Sequence, residues 1–142
     1  MPARVEEIAV LLQKARQDIV AGRLLADAEV PDIVCFHAQQ ATEKAIKAVL
    51  ALQGVAYPFR HNLDELMGLS PDLPEALAER RDAIAALTEF AIAARYEDII
   101  GPDRQRVEAV LAIASFVYET AVAEVLRQLP DIPVEAIDED ES

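Results

Sequence analysis

Between Val34 and Leu52 a small or apolar residue returns at spacings of 4, 3, 4, 3 and 4: Val34, Ala38, Ala41, Ala45, Ala48 and Leu52. Positions spaced this way share one face only in an α-helix. Four of the six are Ala, so a neighbouring helix can approach closely. Beside this seam stands a polar set: His37, Gln39, Gln40, Glu43, Lys44 and Lys47. Two readings fit that flank. It is a solvated face steadied by a Glu43–Lys47 pair at i,i+4, or it serves a cleft or a second subunit.

The same periodicity runs through the rest of the chain. Val5, Ile8, Leu12, Ala15, Ile19, Gly22 and Ala26 form a packing seam on a first helix over about residues 3–27. Gly22 weakens that helix by about 1 kcal/mol relative to Ala unless close packing there compensates. Pro31 restarts the chain, and a second helix runs over about 32–53 with Gly54 as its C-terminal cap. Asn62 with Glu65 resembles a capping box, which predicts a short third helix in HNLDELMGL. Asp72 with Glu75 repeats the pattern and opens a fourth helix to about Ala94, with Leu77, Ile84, Leu87, Ala91 and Ala94 as its apolar set. The stretch 95–103, RYEDIIGPD, reads as a loop closed by Gly101-Pro102. A fifth helix follows over about 103–129, with Val107, Leu111, Ala114, Tyr118, Ala121 and Val125 on one stripe.

No segment alternates with period two long enough to be a strand. The expected fold is all-α: an up-down bundle of four long helices plus one short helix over residues 1–129. Residues 130–142 hold six acidic and no basic residues, and they read as an acidic, disordered tail.

Composition narrows the function. A chain of 142 residues suits one domain, which buries roughly two-thirds of its unfolded surface without staples. A single cysteine, Cys35, allows no internal disulfide and fits a reducing cytosol. It reads as a buried small hydrophobe. No apolar run approaches the ~18–20 residues of a membrane span, so no membrane association is expected. Glu6 and Glu7 stand where a signal peptide would be basic. Net charge is −13, of which −6 falls in residues 130–142. This charge argues against a general nucleic-acid surface, while a local basic patch inside the acidic body stays open.

Most catalytic constellations are missing from the sequence. His37 and His61 are the only histidines, and neither lies in a Glu-x-x-His pair, since Val34 and Pro58 stand three residues before them. No metal and no cofactor is expected. The glycines at 22, 54, 68 and 101 form no phosphate loop. Three clusters remain: the polar flank of the second helix, Arg60-His61-Asn62-Leu63, and Arg95-Tyr96-Glu97-Asp98. For the second, a simple capping role competes with a functional one. For the third, Arg95 meeting the helix dipole competes with a functional loop.

Taken in order, FHAQQATEKAIKA, HNLDEL and ARYED resemble the HEPN family of small prokaryotic helical domains, over roughly residues 5–127. The first block is the specific part: Phe36, His37, Gln39, Gln40, Glu43, Lys44 and Lys47 follow the family's pattern. His61-Asn62-Leu63 and Arg95-Tyr96 are similar to two further segments, although Glu97 stands where Pro is usual. The resemblance implies an up-down bundle, a homodimer and a cleft between its subunits. Many family members are metal-independent RNases marked by an Arg followed after four to six residues by a His. This chain has no such pair: the positions that would complete one hold Ile100, Gly101 and Pro102 after Arg95, Gly54, Val55 and Ala56 before His61, and Val30, Pro31 and Asp32 before His37.

Three functions follow, in order of expectation. The first is a nucleotide- or RNA-binding homodimer that works with a separately encoded nucleotidyltransferase, in a toxin–antitoxin or nucleotide-sensing pair. Its cleft would be lined by Lys44, Lys47, His61, Arg95 and Tyr96. The second is a non-standard RNase in which Arg95 holds the phosphate and His61 transfers protons, because Arg itself keeps its proton. The third is a dimerisation module without a ligand.

Overall fold

A computed structural model describes residues 4–59, 62–96 and 104–134, with backbone alone at 89–96 and 104–105. The described residues form six helices: α1 (Val5–Leu25), α2 (Pro31–Leu52), α3 (Leu63–Gly68), α4 (Glu75–Ala78), α5 (Arg81–Tyr96) and α6 (Arg104–Gln128). The all-α class holds, and four helices are long, but there are two short helices where one was expected. The additional one arises because the expected fourth helix is broken. At the break the Arg80 amide bonds the Leu77 carbonyl at 3.1 Å, a tightened i→i−3 contact. Arg80 then lies 4.3 Å from the centre of the Phe116 ring on α6, and Arg81 Nε donates to Asp64 Oδ1 on α3 at 2.7 Å. These tertiary anchors accompany the break, with no Gly or Pro at the joint.

The long helices alternate in direction. Glu7 and Asp18 of α1 meet Tyr57 and residues 37–44 respectively, so α1 and α2 are antiparallel. Arg80 meets Phe116 while Ile84 shares a small cavity with Ala112, so α5 and α6 are antiparallel too. Gly22 and Arg23 of α1 reach Leu111 and Ser115 of α6, which places α6 parallel to α2.

The sequence seams turn inward. Ile8, Leu12, Ala15, Ile19 and Gly22 of α1 are buried, as are Val34, Ala38, Ala41, Ala45 and Ala48 of α2. The six-residue stripe of α6, from Val107 to Val125, is buried throughout. Thr42, a buried polar residue in this core, donates its hydroxyl to the Ala38 carbonyl at 2.8 Å. At Gly22 a Cβ would come 2.7 Å from Leu111 Cδ2, so close helix approach compensates for the glycine.

Ends and caps mostly follow the sequence. Pro31 opens α2. Gly54 closes it at φ +74°, with the Val55 amide bonding the Leu50 carbonyl at 2.9 Å, a Schellman arrangement. Asn62 caps α3 by accepting from the Glu65 amide at 2.7 Å. Asp72 does not cap α4, whose N-cap is Pro74 without a side-chain bond; the Asp72 carbonyl instead accepts from Gln53 Nε2 at 2.8 Å. Arg95 and Tyr96 belong to the last turn of α5, not to a loop. No Gly or Pro stands at 95 or 96 to stop the helix at Ala94, and a C-terminal Arg suits its dipole.

Two further expectations need amendment. The helix Arg106–Gln128, 23 residues, is long and apolar enough to cross a membrane by length and composition alone. Spaced Glu residues hide this in the sequence, and the helix uses its apolar stripe within the bundle. The expected tail also stays with the bundle at first: Ile132 is buried, and Pro133 and Val134 line a cavity with Ala9 and Val10 of α1. Residues 135–142 lie outside the described residues.

Candidate functional site

With the Ala seam committed to the core, the polar flank of α2 is left along the edge shared with α1. Glu7, Leu11, Lys14 and Asp18 recur at 4, 3 and 4 on α1, one position off its buried seam, and form the opposite bank. Asp18 is the hub. One carboxylate oxygen accepts from His37 Nδ1 at 2.9 Å, and the other accepts from Lys44 Nζ at 2.5 Å. The side chains are 14% exposed at Asp18, 24% at His37 and 28% at Lys44, so all three are shielded yet reachable. With Nδ1–H donated to Asp18, the imidazole's orientation is set and Nε2 is the remaining exchangeable position. His37 Nε2 makes no hydrogen bond among the described residues.

One turn further on, Lys47 Nζ lies 3.4 Å from Glu43 Oε2 and 5.4 Å from the centre of the Tyr57 ring. The Tyr57 hydroxyl donates to Glu7 Oε1 at 2.5 Å, and Arg4 Nη1 sits 3.9 Å from Glu7 Oε2. Burial, the Glu7 hydrogen bond and the Glu7 charge push the Tyr57 phenol up to about 12, against the opposing pull of Arg4. The edge is therefore a strip of alternating charge: Arg4, Glu7, Lys47, Glu43, Lys44, Asp18, His37. Partly exposed ion pairs contribute only about 0–1 kcal/mol each, so a ligand can rearrange such a strip at small cost.

The structure brings Lys44 and Lys47 together on α2, as the spacing implied, but each already faces a carboxylate. The expected Glu43–Lys47 pair is present. Arg95 and Tyr96 have described backbone only, and His61 lies outside the described residues. Sequence reasoning missed Asp18, Glu7 and Tyr57. The available signal was Asp18's place beside the α1 seam, where an antiparallel α2 must bring residues near 37–44. Sγ of Cys35, just inside the flank, is buried, and burial with the Asp32 charge pushes its thiol up to about 11. It is therefore a packing residue and not a nucleophile.

Among the described residues, an up-down helical domain with a charged strip along its α1–α2 edge is the class that fold and site define. The chain belongs to the HEPN domain family, whose model matches residues 8–125. No curated protein and no solved structure matches it. Membership implies a nucleotide- or RNA-related function.

Proposed function

We propose that this protein is a nucleotide- or RNA-binding HEPN module. It acts as a homodimer with a separately encoded nucleotidyltransferase, in a toxin–antitoxin pair. The observation that carries this reading is the family match over residues 8–125 in a chain without the Arg-x(4–6)-His pair. The family match supports nucleotide chemistry. The missing pair favours binding over cleavage, since metal-independent RNA cleavage needs a proton donor and acceptor placed at the phosphate. A net charge of −13 argues against a broad phosphate-tracking surface and for one local site. Lys44, Lys47, His61, Arg95 and Tyr96 are the residues proposed to line it.

Calorimetry with mononucleotides, short RNAs and any nucleotidyltransferase-fold protein found encoded beside the gene tests the proposal. Sedimentation tests the homodimer. Binding to a nucleotide or RNA and to the partner, by a dimer, is expected. A monomer that binds none of them would overturn it.

A further inference from the structure

We infer that the cavity beside Arg80 and Phe116, between α5 and α6, binds a short branched aliphatic carboxylate. The carboxylate meets the Arg80 guanidinium, and the aliphatic group enters the cavity next to the Phe116 ring. The site lies on other helices than the charged strip of α1 and α2, and it does not depend on the nucleotide reading.

The cavity begins where the helix breaks. Arg80 stands at the joint of α4 and α5, and its carbonyl accepts from the Ile84 amide at 2.9 Å. Arg80 and Ile84 are thus neighbours one turn apart on the same face. On α6, Ala112 and Phe116 have the same spacing. Ala83 and Ala112 are small, and a cavity of about 100 Å³ remains between the two helices. Among the described residues it is lined by Arg80, Ala83, Ile84, Ala112, Ile113 and Phe116, so Arg80 is the one charged group in an apolar wall. A dry apolar cavity of about 150 Å³ takes benzene. This smaller one suits a branched aliphatic group.

Arg80 supplies the polar half. Its guanidinium carbon stands over the Phe116 ring, 4.3 Å from the ring centre. That contact holds the group in place and uses none of its five N–H donors in a hydrogen bond to an anion. Among the described residues the guanidinium forms no hydrogen bond or ion pair beside this contact. Its charge needs no particular pH, because Arg keeps its proton. A side chain already held on a ring loses less freedom when an anion docks. The planar fork of donors matches the two oxygens of a carboxylate. One cation, flanked in the chain by the exposed Glu79 and Asp82 in a molecule of net charge −13, balances one negative charge and not two. That favours a carboxylate over a phosphate monoester, and the apolar wall next to the donors selects a branched aliphatic chain behind it.

Methyl NMR titration of isocaproate into the full-length protein tests the site, because Ile84 and Ile113 carry methyl groups on its wall. Saturable shifts of both residues are expected at neutral pH. Isocaproamide, with the same shape and no charge, should bind about ten-fold more weakly. Acetate, with the charge and no branched chain, should be weaker by at least as much. Arg80→Gln should lower isocaproate affinity about ten-fold and leave isocaproamide unchanged. Ala112→Leu fills the cavity and should abolish the shifts with both compounds; Ala83→Leu repeats the test from the opposite wall should melting curves show that Ala112→Leu does not fold. A short peptide ending in Leu with a free C-terminus, set against isocaproate, separates a protein chain end from a small free acid, and tighter binding of either bears the inference out. Equal affinity of wild type for isocaproate and isocaproamide would overturn it. So would isocaproate affinity within two-fold of wild type in Arg80→Gln or in a folded cavity-filling variant, and so would shifts that grow with concentration without saturating.

Discussion

Gly22 on α1 lies so close to Leu111 on α6 that a Cβ at Gly22 would stand 2.7 Å from Leu111 Cδ2. The contact explains why a residue that disfavours helices by about 1 kcal/mol occupies a buried helical position. It also sets two effects against each other. Gly22→Ala regains that helix preference, but it overpacks a core where Leu111 is only 8% exposed, at a typical cost of about 1–3 kcal/mol. Net destabilisation of about 1 kcal/mol is expected in urea unfolding. With Leu111 cut back to Ala, the clash disappears and the same glycine replacement should become stabilising by a few tenths to about 1 kcal/mol. Equal effects in both backgrounds would show that the two residues are not coupled.

The Ala seam of α2 gives a second test. Ala41 is fully buried inside the subunit. Ala41→Leu should therefore lower stability by about 1–3 kcal/mol through overpacking while leaving the sedimentation mass as in wild type. A change of mass at unaltered stability would place the seam between subunits instead.

These two residues show what the sequence made readable. Spacing alone identified the buried faces of α1, α2 and α6, because a face follows directly from 3.6 residues per turn. Gly54 and Asn62 were readable as caps because their roles are local. The break between α4 and α5 was not, since it coincides with contacts of Arg80 to Phe116 and of Arg81 to Asp64, made far along the chain. The surroundings of the α2 flank were hidden for the same reason. Lys44 and Lys47 were found from spacing, but their charge environment depends on Asp18, 26 residues from Lys44, and on the fold of the Tyr57 segment.

Gly54 isolates a backbone effect. It sits at φ +74°, and a Cβ added there would have nothing within 4 Å, so a side chain meets no clash. Gly54→Ala should still cost about 1 kcal/mol, because a Cβ disfavours the left-handed region. Gly54→Asn should cost less, since Asn tolerates that region better. Chemical denaturation of the two variants checks the order, and an equal cost for both would argue against backbone strain as the cause.

Cys35 is 2% exposed, and its thiol is pushed up to about 11, first by burial and then by the Asp32 charge. The thiolate is the reactive form. Labelling by a disulfide reagent at mildly alkaline pH should therefore be slow in the folded protein and fast in urea. Asp32→Asn should speed it only modestly, because burial is the larger cause. Rapid labelling of the folded wild type would contradict the packing role.

Tyr57 ties the connector after α2 to Glu7 on α1, and its ionisation rises from 10.0 to about 12 on folding. A group that holds its proton more tightly when folded adds stability below its unfolded pKa and loses that contribution as pH rises through the folded one. The Tyr57 contribution is thus complete below pH 10 and fades between pH 10 and about 12. Tyr57→Phe deletes the donor and leaves Glu7 without it. The variant should be less stable by about 1 kcal/mol at neutral pH, the net worth of a hydrogen bond to a charged acceptor at a partly exposed site. Its stability should then fall less steeply than wild type above pH 10. Urea midpoints measured from about pH 7 to 11, with ultraviolet absorbance following phenolate formation, separate the two curves. Parallel curves over that interval would mean that the Glu7 bond is not what holds the proton.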